Sequence, residues 1–158
     1  MEEADKNEIQ IHPNHELQYW ISCTQFGYVY SYGGISYIPK KKQIMNTNIH
    51  VNGITIIEVY EIITPKSGEI SIIQKQSGQS NQKFDIKPDN QLKYWVSLTH
   101  GNILYSKEIK FQELNNILKR NHNNFPHNTK IIDIHEIRTN EYGSVKFIRK
   151  TIDEIVKS

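Results

Sequence analysis

The two halves of this chain align with each other at a constant spacing of 75 residues, and this feature restricts the fold more than any other. The segment IHPNHELQYWISCT (11–24) aligns with IKPDNQLKYWVSLT (86–99) without a gap. Residues 7–75 and 82–150 share 19 identities when compared position by position, against roughly five expected by chance. The sequence therefore predicts two copies of one structural unit. We call the residue 75 positions away in this alignment a residue's counterpart.

The predicted organisation is two tandem units joined by a short connection. The first unit covers residues 7–75, the connection QSGQSNQ spans 76–82, the second unit covers 83–150, and a tail follows at 151–158. Gly, Ser and Gln residues of this kind are typical of flexible linkers. Because a unit of about 70 residues is small for a core of its own, we expect the units to pack together in pseudo-twofold fashion, as the subunits of a homodimer would.

Strands are predicted from the alternation of apolar and polar side chains over Leu17–Thr24 and again over Leu92–Thr99. A period of two indicates a β-strand with one apolar face. In each unit a turn and a second strand follow, and this pairing is typical of a hairpin. Two more strands close each unit, and the short segments 8–11 and 83–86 are predicted edge strands.

One helix is predicted in each unit. In the second unit, apolar residues at helical spacing within Glu113–Arg120 predict a helix of about three turns. In the first unit a shorter helix is predicted from Pro39 to Met45, because proline is tolerated in a first helical turn. A final helical turn is predicted over Thr151–Val156. The predicted fold class is therefore α+β and strand-dominated, with two tandem pseudo-symmetric β-β-β-α-β-β repeats packed together.

Composition excludes several classes of protein. The net charge of +2 and the sequence pI of about 8.5 are far from the imbalance that by itself predicts nucleic-acid binding. Cys23 is the one cysteine, so an intrachain disulfide is impossible and a reducing compartment is indicated. The N-terminal residues lack an apolar leader, and no apolar run is long enough to span a bilayer. We expect a soluble cytoplasmic protein without membrane contact.

A tryptophan and two hydroxyl residues recur on the strand face opposite Leu17 and Tyr19. These candidate binding residues are Trp20, Ser22, Thr24, Trp95, Ser97 and Thr99. A large aromatic side chain on a strand most often packs in the core. The alternative is an exposed surface in which an aromatic ring lies beside two hydroxyl groups, and such a surface suits a protein interface.

A second candidate surface lies in the first unit and indicates a different partner. It consists of strand tyrosines followed by a basic run, namely Tyr28, Tyr30, Tyr32, Lys40, Lys41 and Lys42. Proteins that bind single-stranded nucleic acid place lysines along the phosphate backbone and stack bases on aromatic rings. The same tyrosines also fit the ordinary role of filling a sheet face. Single-stranded nucleic acid is therefore the alternative partner.

Histidines do not assemble into a recognisable metal or catalytic motif. His12 and His15 have H-x-x-H spacing, but Pro13 and the strand that follows argue against the helical turn that such a metal site uses. No nucleophile–histidine–carboxylate arrangement, phosphate loop or dinucleotide motif is present. A hydrolase or nuclease site in the second unit is a third hypothesis, and its candidate residues are His122, His127 and His135.

Acidic residues are retained at two pairs of counterpart positions. These pairs are Glu58 with Asp133 and Glu61 with Glu136. We predict that they form cross-strand ion pairs with lysines such as Lys75 and Lys150. The sequence as a whole favours a non-enzymatic binding or inhibitor module that acts on another macromolecule, first of all a protein. No cofactor and no metal are expected.

Overall fold

The chain folds, in a computed structural model, into two β-sheets that pack face to face. The structure describes residues 8–34, 50–51, 54–78, 82–121 and 129–156. The first half contributes the strands β1 (Gln10–Ile11), β2 (Leu17–Gln25), β3 (Tyr28–Gly34), β4 (His50–Val51), β5 (Ile54–Ile63) and β6 (Ser71–Gln76). Strands dominate the described parts of both halves and helices are few, so the prediction of a strand-dominated fold is confirmed.

Helices are described in the second half and at the C-terminal end. In chain order the elements are β7 (Asp85–Ile86), α1 (Pro88–Gln91), β8 (Leu92–His100), β9 (Ile103–Ile109), α2 (Phe111–Asn121), β10 (Thr129–Thr139), β11 (Val145–Lys150) and α3 (Ile152–Val156). The predicted helices at Glu113–Arg120 and at the C-terminal tail are confirmed as α2 and α3. The one-turn helix α1 is an addition to the predicted order, and the helix predicted from Pro39 lies outside the described residues.

Each sheet is completed by a short strand from the other half of the chain. Sheet A has the order β1-β9-β8-β10-β11, and sheet B has the order β4-β5-β2-β3-β7, with β6 also paired to β5. β1 therefore leaves the first half to pair in parallel with β9, and β7 leaves the second half to pair in parallel with β3. The registers correspond, because Gln10 lies opposite Ile103 as its counterpart Asp85 lies opposite Tyr28.

The core consists of an inner layer and two outer layers. The inner layer lies between the sheets and takes buried residues from both, including Trp20, Trp95, Ile62 and Ile137. On the outer face of sheet A, Leu114 of α2 and other apolar residues of α2 and α3 pack against Tyr94, Val96 and Leu98 of β8. The outer face of sheet B carries a separate cluster of Tyr19, Ile21, Cys23, Ile56 and Val59. Burying one such large side chain contributes about 1.5–3 kcal/mol.

Two turns that each contain a glycine pack against the opposite sheet. Gly68 follows β5 with φ +85°, and a Cβ there would lie 2.7 Å from a side-chain carbon of Ile132 in β10. Gly143 follows β10 with φ +81°, and a Cβ there would lie 2.4 Å from a side-chain carbon of Ile57 in β5. Glycine is required at both positions for its left-handed backbone and for the close approach of the opposite sheet. Among the described helices, none is long and apolar enough to cross a membrane.

Candidate functional site

The six residues predicted as a binding face line the interior between the sheets. Each of Trp20, Ser22, Thr24, Trp95, Ser97 and Thr99 is at most 8% exposed. The core interpretation of both tryptophans is therefore confirmed, and in this structure the six side chains form no exterior surface. Their two indole rings meet edge to face, with centroids 6.2 Å apart.

Hydrogen bonds satisfy the indole groups of this inner layer. The Trp20 Nε1–H donates to Ser31 Oγ at 2.6 Å, and the Trp95 Nε1–H donates to Ser106 Oγ at 2.8 Å. Ser31 and Ser106 are counterparts that lie on β3 and β9. Because an unpaired buried donor costs about 1–3 kcal/mol, these bonds explain why the tryptophan and the serine occur together in both halves.

A second set of bonds crosses from one sheet to the other. The Ser22 hydroxyl donates to Gly143 O at 2.5 Å, and its counterpart Ser97 donates to Gly68 O. The Gln18 side-chain N–H likewise donates to the Ser106 carbonyl at 2.6 Å. Lys93, the counterpart of Gln18, donates from Nζ to the Ser31 carbonyl at 2.7 Å. Of the predicted hydroxyl residues, Ser22 and Ser97 therefore form hydrogen bonds between the two sheets.

Glu58 and Asp133 also lie in this layer, but different kinds of group bind their two carboxylates. Glu58 Oε1 accepts from the Val145 N–H at 2.9 Å and from the Tyr60 hydroxyl at 2.7 Å. Burial raises the pKa of Glu58, although both of these hydrogen bonds act in the opposite direction. Burial and the nearby Glu58 together raise the pKa of Tyr60. Glu58 is therefore held by neutral donors in a site that favours its protonated form.

Asp133, by contrast, is paired with the guanidinium group of Arg149. Its carboxylate forms an ion pair with Arg149, whose Nε lies 3.2 Å away. It accepts hydrogen bonds from a terminal guanidinium nitrogen of Arg149 at 3.2 Å and from the Ile70 N–H at 2.8 Å. The predicted lysine pairing is confirmed for Glu61, which lies 3.8 Å from Lys75 Nζ. It is wrong for Asp133, because Arg149 takes the place of a lysine.

The other retained acids also depart from the predicted lysine pairing. Glu58 receives its two described bonds from the neutral donors Val145 and Tyr60. Glu136 accepts from Arg138 Nε at 2.5 Å. Lys150 contacts Glu154 at 4.0 Å, one helical turn further along the chain. Within the described residues, Glu61 is the one retained acid of the four that has the predicted lysine partner.

The histidine site of the third hypothesis is placed only in part. His135 is buried, and its Nδ1 has no hydrogen-bond partner within the described part of the chain. Burial lowers the pKa of His135, Asp133 opposes this effect, and Arg149 reinforces it. His122 and His127 lie outside the described residues. The three-histidine site therefore stays a prediction.

His12 and His15 pack on Tyr105 beside strand β1. The ring centroids of the two histidines are 4.5 Å apart, and that of His12 lies 4.9 Å from that of Tyr105. The His15 Nδ1 accepts a hydrogen bond from the Ser106 N–H at 3.0 Å, so this nitrogen has no lone pair for a metal. Across the ranges that the structure describes, no group of three or more His, Cys, Asp or Glu residues could hold a metal ion.

The strand tyrosines of the nucleic-acid hypothesis lie on the outer face of sheet B. Tyr30 and Tyr32 are half-buried against the outer cluster of that sheet. Tyr28 is also half-buried, and Lys87 Nζ lies 5.4 Å from the centre of its ring. The basic run Lys40, Lys41 and Lys42 lies outside the described residues.

One exposed phenylalanine is not among the residues predicted from the sequence. Phe26 is 82% exposed at the tip of the β2–β3 hairpin, and its φ of +54° lies in the left-handed region. In sequence it is a phenylalanine directly before a glycine, at a turn where polar residues are the rule. That contradiction between residue type and position was the available signal.

Other aromatic residues lie around Phe26 at one end of the molecule. The Asp85 N–H donates to the Gly27 carbonyl at 3.1 Å, and the Phe84 N–H donates to the Glu141 carbonyl at 3.0 Å. These bonds join the β2–β3 turn, the start of β7 and the β10–β11 turn. We call the surface they form the aromatic end, and its rings are Phe26, Tyr28, Phe84 and Tyr142.

The opposite end of the molecule has none of these rings. The counterparts of the four aromatic residues are Gly101, Ile103, Ile9 and Ser67. The ion pairs beside the two ends also have opposite polarity, because Lys83–Glu141 at 3.4 Å is the counterpart of Glu8–Lys66 at 2.9 Å. Both ends have a backbone hydrogen bond from an exchanged strand to a hairpin turn, Asp85 N–H to Gly27 O and Gln10 N–H to Asn102 O, but they present different chemistry.

No protein-family model matches the chain, and no curated protein and no solved structure matches it significantly. Its function is therefore inferred from the geometry of its own residues. Of the surfaces described, the aromatic end combines the most exposed large apolar side chain with a strained backbone.

Proposed function

We propose that this chain is a non-enzymatic protein-binding module that contacts its partner through the aromatic end. The observation that supports this most strongly is Phe26, which is 82% exposed with a φ of +54°. A left-handed backbone at a non-glycine residue costs about 1–2 kcal/mol, and exposure of the ring forfeits the free energy of its burial. No described residue of the chain buries the ring, whereas a partner that buries it would offset both costs.

The composition of the aromatic end supports the same proposal. Aromatic residues are enriched at the centres of protein interfaces, where a few of them supply most of the binding energy. Tyr142 and Phe84 reach this end from two other turns, so the rings come from separate segments.

We further propose that the two halves are tandem copies arranged about a pseudo-twofold axis. This finer description of the fold is supported by the 75-residue alignment and by the matching registers of the exchanged strands β1 and β7. Under this description the end around Gly101 is a natural control for the end around Phe26. Its hairpin turn also bonds an exchanged strand, through the Gln10 N–H and the Asn102 carbonyl, and its counterpart positions lack the four aromatic rings.

Site-specific photo-crosslinking in the cells that produce the protein tests the proposal. A photoreactive phenylalanine analogue is introduced in place of Phe26, of Tyr142 or of Gly101. We expect positions 26 and 142 to give a covalent adduct with the same protein, and position 101 to give none. Adducts of that protein from all three positions, or from position 101 alone, would contradict the proposal.

Phe26→Gly then separates binding from folding, because it installs the residue found at the counterpart position. The substitution relieves the left-handed strain, so we expect stability to be unchanged or to rise by up to about 1 kcal/mol. Affinity for the crosslinked partner should fall about 30-fold, as for loss of an interface hot spot of about 2 kcal/mol. Ile152→Ser, at an exposed apolar residue on α3, is the matched control and should leave affinity unchanged.

Single-stranded nucleic acid is the alternative partner for the same end, because Lys87 lies beside the Tyr28 ring. The two partners differ in their response to salt. Binding through phosphate contacts weakens steeply as salt concentration rises, whereas binding through buried aromatic rings does not. An oligonucleotide titration at two salt concentrations, with Phe26→Gly alongside, distinguishes them.

A further inference from the structure

The exchanged strand β1 is fastened to sheet A by a side chain as well as by its backbone. The His12 N–H donates to the Leu104 carbonyl at 2.8 Å, as in an ordinary parallel ladder. Two residues further along β9, the Ser106 N–H has no backbone acceptor from β1 and donates instead to His15 Nδ1 at 3.0 Å. The imidazole of His15 thus completes the ladder at the point where the chain turns away.

The exchanged strand β7 is fastened to sheet B in the same way by a different residue. The Asp85 N–H donates to the Gly27 carbonyl, and the Ser31 N–H then donates to Asn90 Oδ1 at 3.4 Å. Asn90 is the counterpart of His15, and Ser31 is the counterpart of Ser106. The same side-chain contact therefore occurs twice in the molecule, with an imidazole nitrogen as acceptor at His15 and an amide oxygen as acceptor at Asn90.

The two acceptors respond differently to protons. An imidazole nitrogen accepts a hydrogen bond only while it is unprotonated, so neutral His15 carries its proton on Nε2. Protonation places an N–H on Nδ1, directly against the Ser106 N–H, and the hydrogen bond becomes a repulsion between two donors. The amide oxygen of Asn90 accepts at every pH at which proteins fold.

We propose that His15 is a pH-sensitive latch whose protonation releases β1 from β9, whereas Asn90 holds β7 on β3 independently of pH. Release of β1 would free the edge of β9, one backbone edge of sheet A. Freed strand edges pair readily with other strands. The latch would thus regulate access to one edge of one sheet and leave the aromatic end, which lies beside β7, in place.

The surroundings of His15 favour its neutral form. His12 and Glu16 face it from its own turn, and Tyr105 and Lys107 face it from β9. Burial lowers the pKa of His15, His12 and Lys107 lower it further, and Glu16 opposes them. Because the pKa is lower with β1 docked than its ordinary value of 6.5, the released form binds a proton more readily. The latch is therefore fully closed above about pH 6.5 and weakens as the pH falls below it.

Amide hydrogen exchange tests the latch within one sample. Protection factors, taken relative to an unstructured peptide at the same pH, are measured between about pH 7.5 and about pH 5.5. We expect protection of the Ser106 and His12 amides to fall about tenfold. Protection of the Ser31 and Asp85 amides, which report the Asn90 side, should stay constant. Equal changes on both sides, or no change at Ser106, would overturn the proposal.

Two substitutions exchange the chemistry of the two sides. His15→Asn keeps an acceptor for the Ser106 N–H and should abolish the pH dependence there. Asn90→His should confer pH dependence on Ser31. His12→Asn controls for the neighbouring imidazole, and the change at Ser106 should persist in it. If the change persists in His15→Asn, or disappears in His12→Asn alone, His15 is not the titrating group.

Discussion

The inner layer and the two ends of the molecule differ in how strictly counterparts keep the same role. Between the sheets, Trp20 bonds to Ser31 as Trp95 bonds to Ser106, and Ser22 reaches Gly143 as Ser97 reaches Gly68. At the ends, Phe26 stands where its counterpart is Gly101, and the neighbouring ion pairs have opposite polarity. The tryptophan and serine contacts between the sheets are thus matched, whereas the side chains at the two ends are not.

This difference follows from the cost of a changed residue in each place. A buried donor that loses its acceptor costs about 1–3 kcal/mol, so tryptophan and serine are constrained together. A surface substitution usually changes stability by less than about 0.5 kcal/mol, so the ends are free to acquire separate functions. Divergence between counterparts therefore marks candidate functional residues in this chain, and agreement marks structural ones.

The largest expected effect concerns the tryptophans. If the inner layer is matched, Trp20→Ala and Trp95→Ala should each lower the free energy of unfolding by about 3–5 kcal/mol, because each leaves a large cavity between the sheets. Urea denaturation monitored by circular dichroism measures both. The two costs should agree within about 1 kcal/mol. A loss below about 1 kcal/mol for either variant would show that the two tryptophans do not contribute equally to the stability of the inner layer.

Alanine substitutions at the counterpart glycines Gly143 and Gly68 should lower stability by different amounts. Gly143→Ala places a Cβ against the buried Ile57, which cannot move toward solvent as an exposed side chain can, so we expect a loss of about 2–4 kcal/mol. Gly68→Ala meets Ile132, which is 39% exposed and can move toward solvent, so about 1–2 kcal/mol is expected. Thermal denaturation of the two variants gives the order. The reverse order would contradict the packing described at these turns.

The smallest expected effects on stability come from amide substitutions at the two buried carboxylates, Asp133 and Glu58. Asp133→Asn should cost about 1–2 kcal/mol at neutral pH, because it removes the negative partner of a half-exposed arginine. Glu58→Gln keeps an oxygen acceptor for Val145 and Tyr60, and it should leave stability unchanged or slightly increased.

The pH dependence of stability provides the check on that last pair. The folded-state pKa of Glu58 lies above its ordinary value of 4.5, so ionisation of Glu58 lowers stability as the pH rises from about 4.5 through the folded-state value. The stability difference between Glu58→Gln and the unsubstituted protein should therefore grow over that interval and then level off. Denaturation curves at a series of pH values measure it, and a constant difference would contradict the raised pKa.

Local sequence patterns predicted the long elements because those patterns carry enough residues. The period of two in Leu17–Thr24 and Leu92–Thr99 gave β2 and β8, and the helical spacing around Leu114 gave α2. The one-turn helix α1 escaped because four residues carry no periodic signal.

The order of the strands in the two sheets could not be predicted from the sequence, for a different reason. β1 and β7 are two residues long, and two residues do not specify which sheet edge they will join. The direction in which Trp20 points was also open, because both faces of β2 are buried and alternation alone does not tell an inner from an outer apolar face. The position of Phe26 became meaningful only when its exposure and backbone angle were known.

The exchange of β1 and β7 makes the two halves dependent on each other. A cut in the covalent connection between Gly78 and Gln82 would leave two fragments, and each would hold the strand that the other needs to complete its sheet. Such fragments have a thermodynamic reason to reassemble without the peptide bond that once joined them. The chain thus has the layout of a split protein, in which reconstitution itself can report that two attached molecules have met.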